Sequence, residues 1–399
     1  MYKVAWRNLW RNKRRTILTI SAIAFSVLVL IFMLSIESGT YEYTKDYATK
    51  IWNGKARIFK KGYFQKETIT KSFTVDKKLK KLLESTSFSW CKRIDGYGLV
   101  SFGDKTYGAS ISGIEPEREI SAISKKIREG KYINSTGQVL VGWRLAKNLK
   151  VKVGDKIAIL VQGRDGSLGA KLLEITGIFK TGVLDLDRGK VITTLEDADE
   201  LFSMGGRVTT VVLYSKTRDF DKKLNSLEKK LPPELELVTW QKMMPELLEM
   251  IEFDRAGAYI MYLILIMIVA FGLLNTLYMS TFERRKELAV LRAIGLTKGE
   301  VRALILKESF FLALLGTITG ILISLPVVIY FVKHPIKVGG KMAEFFESLL
   351  FAPLMPALLS WKIFAGVSVI IFIFAIIMAI FPGIRVTREE LSQQLRFEK

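Results

Sequence analysis

Ile17-Leu-Thr-Ile-Ser-Ala-Ile-Ala-Phe-Ser-Val-Leu-Val-Leu-Ile-Phe-Met-Leu-Ser-Ile36 is a run of 20 residues without a single charge. As a helix, about 20 residues cross the roughly 30 Å hydrocarbon core of a bilayer. Three further uncharged runs have that length: Ala256 to Phe282, Ser309 to Val332 and Ile363 to Ile384. One such run fits a long buried helix of a soluble core, but four in one chain read as transmembrane helices. The first run ends in Ser35, Ile36 and Glu37 rather than at a small-x-small cleavage site, so it reads as a retained span and not as a secretory signal.

The basic residues set the expected orientation. Lys3, Arg7, Arg11, Lys13, Arg14 and Arg15 precede the first span with no acid among them. Arg284, Arg285, Lys286, Arg292, Lys298, Arg302 and Lys307 lie between spans two and three, and Arg385, Arg388, Arg396 and Lys399 follow span four. The loop between spans three and four holds only Lys333, Lys337, Lys341 and Lys362. Both termini are therefore expected on the cytoplasmic side. The predicted order is an amphipathic segment at 1–16, spans at 17–36, 256–282, 309–332 and 363–384, a cytoplasmic coupling loop at 283–308, an outer loop at 333–362 and a tail at 385–399. Residues 37–255 form a large extracytoplasmic domain.

Across 399 residues, 60 Lys+Arg against 39 Asp+Glu give +21, and the insert 37–255 carries +9 of it, spread along its length. A nucleic-acid site would need a concentrated basic stripe with interleaved aromatics, so no nucleic-acid partner is expected. One cysteine, Cys91, and one histidine, His334, exclude an intrachain disulfide and argue against a zinc site. No nucleophile–base constellation and no GxxxxGK[ST] loop is present, so neither catalytic residues nor a cofactor are expected and any ATP must be hydrolysed elsewhere. The uncharged spans disfavour an ion-coupled transporter, which keeps ionisable groups within the membrane.

Within the insert, Lys55 to Phe59, Tyr97 to Phe102, Lys156 to Val161, Leu172 to Phe179 and Val208 to Tyr214 read as strands. The turn chemistry of Gly103-Asp104, Gly154-Asp155 and Asp165-Gly166 separates them. Helices are expected at Asp76 to Leu83, Glu117 to Arg128, Leu195 to Phe202 and Phe220 to Leu231. The domain is thus α+β, with room for an inserted β subdomain at 115–194. Met243, Met244, Leu247, Leu248 and Ile251 suggest a helix running from Trp240 straight into span two as a rigid lever.

Three local features concern function. In residues 1 to 15, Val4, Trp6, Leu9 and Trp10 alternate with Lys3, Arg7, Arg11 and Arg14. That pattern expects either an interfacial helix, with Trp6 and Trp10 at headgroup depth and Arg11, Arg14 and Arg15 on anionic lipid, or a plain basic flank. Gly316-x-x-x-Gly320 would let another helix approach span three. In Glu283-Arg284-Arg285-Lys286-Glu287-Leu288-Ala-Val-Leu291-Arg292-Ala293-Ile294-Gly295, the residues Leu288, Leu291 and Ile294 are read as one apolar helical face, with Gly295 ending the helix. A short amphipathic helix of this kind suits docking on an ATPase; a solvated connector is the bland alternative.

Arg284-Arg285-Lys286-Glu287 with Leu291-Arg292-Ala293-Ile294-Gly295, the opening Ala5-Trp6-Arg7-Asn8-Leu9-x-Arg11-Asn12-Lys13-Arg14-Arg15-Thr16, and the closing Pro382-x-x-Arg385 with Leu395-Arg396 resemble the MacB/FtsX-like ABC transporter permeases. Four spans with one large domain after the first match that layout. The resemblance implies a non-catalytic permease, paired with a second copy or paralogue, that recruits a separate ABC ATPase through the loop between spans two and three. Gly113-Ile114-Glu115-Pro116-Glu117, Val139-Leu-Val-Gly142, Leu145-Ala146, Val153-Gly154-Asp155 and Gly177-Ile178-Phe179-Lys180-Thr181-Gly182 look like the lipoprotein-releasing (LolC/LolE-type) branch. Thr387-Arg388-Glu389-Glu390 departs from the family's usual Pro-containing ending. The implied function is mechanotransmission in a bacterial inner membrane, extracting a lipoprotein substrate and passing it to a soluble carrier. A MacB-like efflux permease for drugs, peptides or toxins, and a signalling permease controlling a cell-wall hydrolase, are the alternatives.

Overall fold

The computed structural model describes residues 2–215 and 220–388. Met1, Leu395-Arg396 and the rest of the tail beyond Arg388 lie outside the described residues. The chain divides into two compact units, one made of Tyr43–Met250 with Val338–Pro353, the other of the remaining segments that carry the long apolar helices.

The first unit is built on one mixed ten-stranded sheet. Its elements in chain order are β1 (Ala56–Lys60), α3 (Lys77–Glu84), β2 (Ser89–Phe102), β3 (Lys105–Ile114), β4 (Ile127–Gly130), β5 (Gln138–Gly142), α4 (Trp143–Leu149), β6 (Lys156–Gln162), β7 (Leu168–Phe179), α5 (Leu184–Gly189), β8 (Lys190–Thr194), α6 (Leu195–Leu201), β9 (Thr210–Tyr214), α7 (Phe220–Glu228), β10 (Leu235–Thr239) and α8 (Trp240–Met243). β2 and β3 pair from Arg93↔Ile114 to Phe102↔Lys105, so Gly103-Asp104 is a two-residue hairpin loop with Gly103 at φ 57°. β6 and β7 pair from Lys156↔Glu174 to Gln162↔Leu168 around the turn that holds Gly166 at φ 85°.

Alternation along the strands feeds two cores. Val139 and Val141 face a large cluster with Ile111, Ile159, Leu173 and Ile175, covered by Leu79 and Leu83 of α3, Leu145 and Leu149 of α4, and Leu224 and Leu227 of α7. Leu140 and Ile192 face the opposite side with Ile51, Trp52, Ile114, Ile123 and Phe179.

Two expectations need correction here. Residues 115–194 supply β4 to β8, which share the sheet with the rest through the β3–β8 and β2–β6 pairings rather than forming a separate subdomain. The helix expected at Glu117 to Arg128 is a turn and a short 3-10 helix at Ala122–Lys126. Ile127 then starts β4, opposite Phe179.

The second unit holds α1 (Tyr2–Arg11), α2 (Lys13–Ala48) as far as Glu42, α9 (Pro245–Glu283) from Ile251 onward, α10 (Arg285–Ala293), α11 (Lys298–Lys333) and α13 (Trp361–Arg388), with the two-residue strands β11 (Ile336–Lys337) and β12 (Leu354–Met355). Between those strands the chain forms α12 (Gly340–Ser348), which belongs to the first unit. There Glu347 pairs with Lys126 at 3.3 Å and Glu344 with Lys180 at 3.1 Å. Among the described residues, α2, α9, α11 and α13 are the four helices long and apolar enough to cross a membrane.

The lever expected from Trp240 onward is interrupted. Met244 leaves the helical region at φ −132°, ψ 62°, because the residue before a proline is pushed out of it, and α9 begins at Pro245. The coupling loop expected at 283–308 is mostly helix: α10 occupies its middle, and α11 already starts at Lys298 with a reciprocal Thr297–Glu300 capping box.

Candidate functional site

The informative site lies where α1, α10 and the adjoining ends of α2, α9, α11 and α13 meet. Helical geometry is interrupted at two elbows. α1 stops at Arg11 and α2 resumes at Lys13, while α9 stops at Glu283, Arg284 leaves helical geometry (φ −95°, ψ 11°), and α10 starts at Arg285.

At its other end α10 closes with a Schellman motif. Gly295 at φ 117° donates its N–H to the Arg292 carbonyl at 3.1 Å, and the Leu296 N–H reaches the Leu291 carbonyl at 3.1 Å. A left-handed residue is required at this position, which is why glycine stands there.

The faces of α10 differ from the expectation. Leu288 is 2% exposed and packs with Val301, Ile305 and Val386; Leu291 is half-buried against the same cluster. Ile294 is 75% exposed, and with Val290 at 47% and the exposed Ala293 it forms the outward apolar face. The single face of Leu288, Leu291 and Ile294 is thus corrected. At about 100° per residue, six residues turn 600°, which leaves Ile294 roughly 120° around the helix from Leu288. Arg285 lies over the Phe282 ring at 5.7 Å; Lys286 is exposed and Arg292 half-buried.

Two of the cations expected at the lipid surface also have carboxylate partners within the protein. The Arg11 guanidinium forms an ion pair with both carboxylate oxygens of Glu287, and Arg15 reaches Glu283 at 3.0 Å and the Thr276 carbonyl at 3.4 Å. The Arg11 side chain stays 56% exposed beside its carboxylate, whereas that of Arg15 is 19% exposed. Arg14 is exposed. Trp6 and Trp10 are 40% and 39% exposed; they contact each other edge-on at 6.0 Å, and Trp6 contacts Phe311 of α11 at 5.3 Å. The buried face of α1 is Ala5 and Leu9, the latter among Leu277, Leu312 and Ala379.

Sequence reading missed Glu308 and Asn8. Glu308, 9% exposed on α11, accepts from Asn8 Nδ2 at 2.8 Å and from Arg284 Nη1 at 2.6 Å. Both its oxygens are thereby occupied, as a buried carboxylate demands. Arg284 also reaches Glu287 at 3.3 Å. The Glu287 carboxyl is held below the usual carboxylate range, chiefly by its bond from Arg11. Burial alone would lower the Arg284 pKa, but Glu308 and Glu287 leave it raised. Gly316 and Gly320 lie elsewhere on α11, against Ile23 and Val27 of α2.

The sheet domain carries a second polar cluster. Arg93 is fully buried, forks onto Glu119 and stacks on Trp52 at 3.8 Å. Asp95 accepts from Ser112 and faces Arg57 at 3.4 Å and Lys190 at 3.6 Å. Burial would raise the Asp95 pKa, yet Lys190, Arg57 and Arg93 hold it down to about 2. Burial pushes the Cys91 thiol up to about 12. Every charge in this cluster has a partner of opposite sign, and through Asp95 the pairs tie β2 to β1 and β8. His334 is exposed and stacks on Tyr330 at 4.7 Å.

Residues 16–228 match the family model of the MacB-like periplasmic core domain, and residues 259–391 match that of the FtsX-like permease C-terminal region. An uncharacterized ABC transporter permease of Methanocaldococcus jannaschii is 25% identical, covering 95% of this chain and 93% of its own. The lipoprotein-releasing system transmembrane protein LolC of Neisseria meningitidis is 23% identical, covering 96% of this chain and 94% of its own. The corresponding LolE of Haemophilus influenzae is 22% identical over 74% of each chain. Among solved structures, the periplasmic region of MacB from Actinobacillus actinomycetemcomitans aligns with a TM-score of 0.36 and 11% identity, over 49% of this chain and 92% of its own.

Proposed function

This chain belongs to the family of MacB/FtsX-like ABC transporter permeases, and from that premise we propose that it transmits force from a separate ABC ATPase to its extracytoplasmic domain, without hydrolysing ATP itself. In this reading both termini and α10 are cytoplasmic, the chain sits in a bacterial inner membrane, and a second permease copy or paralogue completes the complex. The observation that carries it is the form of α10. Leu288 anchors the helix to the permease, the glycine cap fixes its end, and Val290, Ala293 and Ile294 are left outward as an apolar docking face. An exposed apolar ridge flanked by charges is the kind of surface that a groove on a partner covers.

The substrate we propose is a lipoprotein, drawn from the outer leaflet and handed to a soluble carrier. Support comes from the lipoprotein-releasing relatives, one of which matches 96% of this chain. Work is needed because each acyl CH₂ buried in lipid is worth about 0.8 kcal/mol, so a multi-chain anchor leaves the bilayer very slowly unaided. A MacB-like efflux role is the second reading, favoured by the periplasmic core match over more than half the chain. The deciding experiment reconstitutes the permease with its ATPase and an acylated lipoprotein in proteoliposomes. ATP-dependent transfer to a soluble acceptor is expected; an ATPase-active complex that transfers none would refute the lipoprotein reading.

A further inference from the structure

The two elbows face one another limb by limb. On one side of the bends, Arg11, the last residue of α1, pairs with Glu287 of α10; on the other, Arg15 of α2 pairs with Glu283, the last residue of α9. Asn8, one turn before the end of α1, and Arg284, at the break between α9 and α10, bond separate oxygens of the same buried carboxylate, Glu308.

Chain connectivity makes this pairing consequential. α10 continues into α9 through Arg284 and into α11 through Leu296-Thr297, so a push on α10 acts directly on those two helices. α2 has no such connection: 276 residues separate Arg11 from Glu287. α2 meets α11 through the close packing of Ile23 and Val27 on Gly316 and Gly320; its link to α10 itself runs through these polar bonds and through α1, whose Leu9 packs against Leu277 and Leu312.

We propose that α1 is a working part of the coupling element rather than a lipid anchor: the Arg11–Glu287 and Arg15–Glu283 pairs, keyed by Glu308, make α1 move with α10 and carry the displacement into α2. The proposal rests on the reading that α10 docks the ATPase. It assigns Arg11, Arg15, Asn8 and Glu308 as positioning residues. An exposed ion pair adds little to stability, so the contribution of Arg11–Glu287 is registration of two helices that no loop connects. Glu308 limits slip between them, since turning α10 away from α1 strips a donor from a buried carboxylate.

The test uses the full permease–ATPase complex in proteoliposomes, with spin labels at Arg7 on α1 and Lys286 on α10. A cysteine at Ile294 reports docking by cross-linking to the ATPase. The label distance is expected to stay the same in nucleotide-free and ATP-trapped complexes. Arg11→Glu should lose that invariance, and the swapped pair Arg11→Glu with Glu287→Arg should regain it. A wild-type distance that changes on trapping, an Arg11→Glu variant that keeps the invariance, or a swap that fails to restore it would each overturn the proposal. If the Ile294 cross-link and copurification of the ATPase both fail in the otherwise wild-type chain, the docking reading itself is wrong.

Discussion

A methyl group on Gly316 of α11 would stand 2.6 Å from Cβ of Ile23 on α2, closer than real side chains approach. Gly320 repeats the relationship one turn on, 2.7 Å from Cβ of Val27. Where lipid is as apolar as the helices, close backbone approach is what holds two spans together. Gly316→Leu should therefore force α2 and α11 apart and cost about 1–3 kcal/mol. Gly366→Leu on α13, whose added carbon meets nothing within 4 Å, is the control. Thermal unfolding in detergent compares them, and equal midpoints would contradict the packing role.

The orientation is testable by labelling introduced cysteines from outside the cell. Basic residues flank the first span and the α9–α11 turn far more densely than the segment between α11 and α13, and the proposed cytoplasmic position of the former rests on that bias. Cysteines at Asp165 and Gly339, both exposed, should react with an impermeant reagent, and one at Lys298 should not. Labelling at Lys298 in intact cells would invert the topology.

On α10, three substitutions of the same chemistry should separate into two outcomes. Val290→Asp and Ile294→Asp place a charge on the outward face and should leave the permease folded while removing substrate-stimulated ATP hydrolysis. Leu288→Asp buries a carboxylate among Val301, Ile305 and Val386 and should destabilise the permease itself by roughly 3 kcal/mol. Melting curves beside ATPase assays resolve the two. Normal stimulation in both Val290→Asp and Ile294→Asp would reduce α10 to a connector.

The four long apolar helices and the α+β class were legible because length and charge-free composition dictate them directly. So was the end of α10 at Gly295, since only glycine suits its backbone. The inward face of α10 was not legible, because an amphipathic pattern says that one face is apolar without saying whether the chain's own helices or a partner covers it. β3 was invisible for another reason: Lys105-Thr-Tyr-Gly-Ala-Ser-Ile-Ser-Gly-Ile114 is rich in small residues, and its pairing with β2 and β8 supplies what intrinsic propensity does not. The Asn8–Glu308 bond spans 300 residues, beyond any local spacing rule.

The sheet domain should lose stability in acid through Asp95. Its folded pKa of about 2 lies below the 3.8 of an unperturbed aspartate, so the gain is complete above about pH 4 and drains away as pH falls toward 2. A shift of that size is worth about 2 kcal/mol. Asp95→Asn should flatten the dependence over that window while destabilising the domain at neutral pH, where Arg57 and Lys190 lose their counter-charge. Denaturant titrations of the full-length permease from pH 2 to 7 provide the comparison. An unchanged pH slope in Asp95→Asn would assign the acid sensitivity to another carboxylate.

Substrate class separates the two functional readings in cells as well as in vesicles. A permease that releases lipoproteins acts on molecules whose acyl chains hold them in the membrane by about 0.8 kcal/mol per methylene, so depletion should strand mature lipoproteins in the inner membrane and halt growth. An efflux permease moves a minority compound, so its loss should leave growth and sorting intact and lower tolerance to a particular drug or peptide. Fractionating lipoproteins from depleted cells distinguishes these, and an Ile294→Asp strain extends the test. If force enters through the outward face of α10, that variant must reproduce the depletion phenotype although the permease is made and folded. Normal lipoprotein sorting in both strains would reject the lipoprotein reading and leave efflux in its place.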